Sequence, residues 1–215
     1  MFPLRDSTPR NSFPFINYLI IALNIYIFFL QISAPSFERF IYQHSFIPAE
    51  FNVLNLSSYR FILNSIFMHG GIFHIVSNMW FLHIFGDNVE DRMGHIGYLL
   101  FYLTAGLAAA IAQYFIAPTV SVPMLGASGA VSGIAGAYFV FFKNSTVKTL
   151  VPLFIIWTVI ELPATFVLGY WFLTQIFAGV GSLAAVDVNQ GGIAFFAHIG
   201  GFVFGYLIAS NIKRG

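Results

Sequence analysis

The sequence contains no cysteine. That excludes a disulfide framework and any thiolate metal site. It is nearly as poor in charge. Only 8% of its 215 residues are Asp, Glu, Lys or Arg, against about 25% in a soluble domain. A chain this short of charge cannot cover its surface with water-compatible groups, so its solvent must be lipid. The net charge of +1 leaves no basic footprint for nucleic acid. The ionisable groups form no ligand cluster, so no metal and no cofactor is expected. What is abundant is hydrocarbon: 58% of the residues are hydrophobic, and 27 are Phe. The natural partner of such a surface is the lipid bilayer.

A helix that crosses about 30 Å of hydrocarbon needs about 20 apolar residues. Six segments qualify or nearly qualify: Phe15–Ala34, Phe67–Gly86, His95–Ala117, Ser128–Phe142, Ala164–Val180 and Ile193–Ile212. The fourth is short. Between the fourth and fifth, Leu150–Ile160 is too long an addition for one crossing and too short for a separate one. It reads as an interfacial or partly inserted segment. Residues 1–14 are too polar, and the first apolar run too long, for a cleavable signal with its apolar stretch of about 7–15 residues. They read as a cytoplasmic tail, with one membrane domain over 15–212 and a short end at 213–215. On this layout Arg5, Arg10, Arg92, Lys143, Lys148, Lys213 and Arg214 share one side, and only Arg39 and Arg60 lie on the other. That asymmetry puts both termini in the cytoplasm. The long outer loop Pro35–Met68 is too polar to span and too apolar to be a solvated linker, so half-insertion is expected. The outer loop Gly181–Gly192 is rich in small residues and is expected to move. The fold class is all-α, a six-helix membrane bundle.

Polar groups inside spanning segments are costly, and each needs a reason. His74 and Asn78 lie four apart on one face of the second helix. His198 opens a stripe on the sixth with Gly201 and Gly205. The fourth begins Gly126-Ala127-Ser128-Gly129. Glycine stripes let another backbone approach closely. At 1.5 Å per residue, the short fourth helix puts Ser128 roughly 8 Å below the outer surface, and His198 roughly 8–9 Å down. His74 falls about 12 Å down on the same count. Three helices thus bring polar groups to similar depth. A serine hydroxyl becomes a nucleophile when a histidine takes its proton. Asn78, His74 and the first free backbone N–H of the fourth helix can receive the developing oxyanion. Glu161 and Asp187 have no spacing that argues for a third member, so a Ser–His dyad is the economical reading. Each feature alone has a bland alternative. Helical serines usually bond the preceding turn, and glycine pairs are usually packing devices.

The assembled motifs resemble the rhomboid family of intramembrane proteases. Gly126-Ala127-Ser128-Gly129 matches its G-x-S-G motif. His198, Gly201 and Gly205 match H-x-x-G-x-x-x-G, and His74 with Asn78 matches H-x-x-x-N. Gly86 and Glu90 fit a G-x-x-x-E end to the second helix. Tyr59-Arg60 stands where members carry Trp-Arg. Glu161-Leu162-Pro163-Ala164 is familiar from prokaryotic members. The resemblance covers nearly the whole chain. It implies that Ser128 and His198 are catalytic, that Asn78, His74 and the Ser128 amide stabilise the oxyanion, and that Gly126, Gly129, Gly201 and Gly205 pack helices. Arg60 and Glu90 become structural. It also implies single-pass transmembrane substrates and a prokaryotic plasma membrane. Ser132 stands where some members place an aromatic on the catalytic histidine, which leaves the support of that ring unassigned. A non-proteolytic relative that binds membrane helices, or a small transporter, are the alternatives. The oligomeric state has no signal in the sequence.

Overall fold

The computed structural model describes residues 1–153, 156–183 and 194–214. Of the expected mobile loop Gly181–Gly192, residues 184–192 lie outside the described residues, as does Asp187. The first helix is α1 (Phe15–Ser33); α2 (Phe37–His44) and α3 (Tyr59–Ser65) follow in the outer loop. Then α4 (Ile72–Phe81), a π-helical turn (Leu82–Gly86) and α5 (Asp87–Met93) run on as one composite helix. It is followed by α6 (His95–Ile116), α7 (Ser128–Phe141), α8 (Ala164–Leu183) and α9 (Phe195–Arg214). Among the described residues, four helices are each long and apolar enough to cross a membrane: α1, α6, α8 and α9. The composite helix and the 14-residue α7 complete a polytopic helical bundle.

Three elements differ from the sequence-based expectation. The second crossing, expected over Phe67–Gly86, begins at Ile72 and continues to Met93. Its start is delayed because the main chain of His69 is already engaged. The Gln31 side chain accepts from the His69 N–H (2.9 Å) and donates to its carbonyl (3.1 Å). Its end is extended because Glu90 has a structural use. Both Glu90 oxygens accept from the first turn of α1, at the N–H groups of Ile16 (2.9 Å) and Asn17 (2.7 Å). α1 has no side-chain cap of its own, so Glu90 satisfies its orphan donors and complements its dipole. At Gly94 the backbone takes φ 73°, a left-handed conformation that glycine adopts without penalty, and α6 starts at once.

The third difference is a sheet. Leu150–Ile160 falls on two strands, β2 (Thr146–Leu153) and β3 (Ile156–Pro163), and Phe2–Asp6 of the expected tail forms β1. The order is β1-β2-β3, antiparallel throughout. At one end Asp6 accepts from Asn88 Nδ2 (2.8 Å) and Tyr138 Oη (2.6 Å). At the other end Phe2 stacks on Trp80, and Trp80 Nε1 donates to the Pro3 carbonyl (2.7 Å). Trp80 precedes Asn88 by eight residues, roughly 12 Å along a helix. The sheet therefore stands upright against the composite helix, reaching from the charged end of the bundle toward its mid-height.

Close contact between α7 and α9 forms the core. A Cβ at Gly201 would overlap the Gly129 carbonyl, and one at Gly205 the Gly133 carbonyl. Gly129 and Gly133 meanwhile face Ala109 and Ala105 of α6. Three helices thus pack at backbone distance, which is the use such small-residue stripes have in membranes. The outer loop builds a satellite cluster of Phe46, Phe51 and Ile62. Tyr59 packs its ring edge on Phe51 (5.2 Å) and donates to the Val53 carbonyl (3.1 Å). Arg60 lies over the ring of its neighbour Phe61. Leu54 and Leu56 are 89% and 85% exposed, which suits a loop resting in the lipid interface.

Candidate active site

At the end of the bundle away from Arg10 and Asp87, a cavity of about 570 Å³ opens between α4, α7, α8 and α9. Its walls include His74, Asn78, Ser128, Ser132, Trp171 and His198. Ser128 is the first residue of α7. Its backbone N–H therefore has no partner inside the helix. The preceding turn is shaped by Gly126, whose φ of 128° disfavours any side chain. A Cβ there would press on the His74 ring (2.6 Å). Gly126 is thus small for the sake of the histidine beside it.

His74 sits in the first turn of α4, since that helix starts at Ile72. Its Nδ1 accepts a long hydrogen bond from the Gly70 N–H (3.4 Å), which places the proton on Nε2. Asn78, one turn on, is 5% exposed, and among the described residues its Nδ2 has no partner. An unpaired buried donor costs free energy unless something uses it. Gln31 of α1 supports this group from behind, through its double grip on His69.

His198 is 9% exposed on α9. Its Nδ1 lies 2.7 Å from the Gln175 amide oxygen of α8, and its ring lies 5.9 Å from that of Trp171. The Ser132 hydroxyl donates to the Ser128 carbonyl one turn back. Among the described residues no hydrogen bond links Ser128 Oγ to His198. Both side chains face the same cavity, and such bonds often tighten only when substrate is bound.

The structure therefore brings Ser128, His198, Asn78 and His74 to one space. Gly129, Gly201 and Gly205 lie behind it, in the contact that brings α7 against α9. Arg60 and Glu90 are elsewhere, in the outer loop and at the charged end. Glu161 also lies away from the cavity, at the base of β3, 3.7 Å from Lys148. Two residues that the motifs do not reveal are Gln175 and Gln31. Gln175 is the one amide of α8, and Gln31 is one of three in α1, with Asn17 and Asn24; an amide inside a spanning helix is the signal they carry.

Comparison with known proteins places the chain in a family. The family model for the rhomboid domain matches residues 56–214. Rhomboid protease GluP of Bacillus subtilis (strain 168) is 30% identical over 209 residues, covering 94% of this chain and 36% of that protein. RHOMBOID-like protein 6, mitochondrial, of Arabidopsis thaliana is 32% identical over 148 residues, 68% of this chain and 41% of the relative. Rhomboid protein 1, mitochondrial, of Saccharomyces cerevisiae (strain ATCC 204508 / S288c) is 24% identical over 203 residues, 92% and 53% respectively. The chain spans between a third and just over half the length of these relatives. An apolar multi-helix bundle with a domain match over most of its length leaves one assignment: the chain is an integral, multi-pass membrane protein and belongs to the rhomboid family.

Proposed function

We propose that this rhomboid is a serine endopeptidase that cuts transmembrane segments with Ser128 as nucleophile and His198 as base. The observation that carries the reading is convergence. A hydroxyl, an imidazole and an unpaired amide donor, from three different helices, face one cavity near one end of a membrane bundle. The rhomboid protease of Bacillus subtilis supports it by resemblance.

In this mechanism His198 Nε2 takes the Ser128 proton as Oγ attacks the scissile carbonyl. The tetrahedral oxyanion receives N–H groups from Ser128, Asn78 Nδ2 and His74 Nε2. Each is a donor already free or held for the purpose. His198 then protonates the leaving amine. A water entering by the same cavity repeats the sequence on the acyl-enzyme. Hydrolysis below a membrane surface needs a hydrated cavity, and a space of about 570 Å³ lined by His74, Asn78, Ser128 and His198 has room for water. A helical substrate reaches it sideways, between α4 and α8. The charged end lies in the cytoplasm on the positive-inside asymmetry, so cutting occurs near the outer side, in a plasma membrane of prokaryotic type. Substrates are single-pass proteins.

The test is reconstitution of the purified chain with a tagged spanning-helix reporter. Wild type is expected to cut, and Ser128→Ala and His198→Ala are each expected to lose cutting while remaining folded. The double variant should lose no more, because the two act as a unit. Appreciable cleavage by purified Ser128→Ala would sink the assignment.

A further inference from the structure

Among the described residues that line the cavity none is a carboxylate, and the titratable groups besides the nucleophile are His198 and His74, which faces it across the cavity. Yet an imidazole works as a base only when the proton sits on the correct nitrogen. The side chain that meets His198 Nδ1 is Gln175, and a glutamine can present either its oxygen or its nitrogen. The surrounding hydrogen bonds decide which. The Thr174 hydroxyl donates to the Trp171 carbonyl (2.6 Å). Its proton is thereby committed, so Thr174 Oγ1 can only accept from the amide beside it. Gln175 Nε2 lies 3.2 Å from that oxygen. The nitrogen of the amide thus faces Thr174, and the oxygen faces the imidazole at 2.7 Å. An amide oxygen has no proton to give, so Nδ1 must be the protonated nitrogen.

We propose that Gln175 is the positioning residue of the catalytic base: its amide oxygen holds the Nδ1 proton of His198 and leaves the lone pair on Nε2. The inference rests on the proteolytic reading for its purpose, not for its geometry. It also accounts for Ser132. Where some rhomboids stack an aromatic on the histidine from the nucleophile's helix, this chain holds the ring from α8, with Gln175 at its edge and Trp171 near its face.

Two substitutions separate positioning from packing. Gln175→Met keeps the length and removes the acceptor; Gln175→Glu keeps an acceptor. The full chain is reconstituted and assayed for kcat and KM against pH, with thermal unfolding as the folding control. Gln175→Met is expected to lower kcat at least about tenfold, up to the roughly 10⁴-fold that follows loss of the aspartate partner of a catalytic histidine, with KM unchanged. Gln175→Glu should recover most of the rate. It should also shift the acid limb of the profile to higher pH, because a carboxylate beside the ring favours its charged form. Wild-type kcat in Gln175→Met, or equal losses in both variants with an unmoved pH profile, overturns the proposal. A second readout needs no turnover. The ¹⁵N imidazole resonances of His198, identified by their loss in His198→Ala, are expected to show the Nδ1–H tautomer in wild type and a mixture in Gln175→Met. An Nε2–H tautomer in wild type overturns the proposal even if the chain cuts. The Nδ1–H tautomer in a chain that cuts nothing would instead remove the proteolytic reading and leave the positioning intact.

Discussion

At the scale of single residues, the candidate site is built from amides as much as from Ser128 and His198. Asn78 keeps a buried donor unpaired, which is stabilising only if the transition state uses it. Asn78→Ala is therefore expected to lower kcat about 10²- to 10³-fold, with little change in KM, as loss of one oxyanion donor does. A large rise in KM with kcat intact would assign Asn78 to substrate binding instead. Glycines can be ranked the same way. An alanine at Gly205 would overlap the Gly133 carbonyl, which no rotamer can move aside, whereas nothing lies within 4 Å of a Cβ at Gly71. Gly205→Ala is expected to cost about 1–3 kcal/mol or more by overpacking, and Gly71→Ala less than about 0.5 kcal/mol. Paired thermal unfolding curves in one detergent would read the difference. Ser128, His198, His74 and Asn78 were legible in the sequence because ionisable and polar side chains stand out against hydrocarbon. Gln175 is as polar as Asn78, but no spacing rule tied it to a residue 23 positions away.

At the scale of elements, helix existence was legible and element ends were not. α6, α7 and α8 follow their apolar runs closely, since length and hydropathy fix a spanning helix. The start of α4 depends on Gln31, a residue of another helix, and local pattern cannot contain that. The sheet was hidden for a different reason. β2 and β3 are short, largely apolar runs, and periodicity cannot separate such a run from buried helix, while β1 lies in a stretch too polar to suggest a membrane element. Glu90 was expected to be structural, and its geometry gives the role content. Glu90→Ala would leave two first-turn N–H groups of α1 without an acceptor. It is expected to cost at least about 2 kcal/mol, as for a charge-assisted bond, and Glu90→Gln less; unfolding midpoints would check this. The neighbouring Asp91 carboxylate is held below the usual range by the Ser12 hydroxyl and then the Asn11 N–H. A depressed carboxylate adds stability above its unfolded pKa and loses it as pH falls through the lower, folded value. Docking of residues 11–12 should thus persist at neutral pH and begin to weaken only as pH falls below about 4, the ordinary Asp value. Hydrogen exchange in that segment, compared with Asp91→Asn, would test the window. Ile156, Trp157 and Val159 of β3 are each more than half exposed, so the sheet should face acyl chains. A variant retaining only Trp157 of the three tryptophans is expected to be quenched by lipids brominated on their chains. Unquenched fluorescence would place β3 in water.

At the scale of the whole molecule, the cavity wall is shared between elements that can separate. α4 and α8 meet through Phe81 and Trp171, whose ring centroids lie 6.3 Å apart. The chain has no cysteine of its own, so a Phe81→Cys, Trp171→Cys pair is uniquely addressable. Oxidised, that variant is expected to cut an embedded reporter more slowly than when reduced; equal rates would exclude access between these helices. Gln175 rides on the same α8. Tilting that helix outward to admit substrate would also withdraw the acceptor from His198, and closure would restore it.

The sheet has one more consequence, in the order of synthesis. Asp6 pairs with Val147 and Phe2 with Leu150, so β1 leaves the ribosome about 140 residues before its partner does. Four helical segments must be threaded into the membrane while β1 has no strand to pair with. Only when β2 emerges can the first five-residue strand find its edge, a long-range closure of the kind that folds slowly. β1 is therefore held only after four helical segments are in the membrane, and anything that occupies it during translation would delay the packing of the composite helix and α7 beside it.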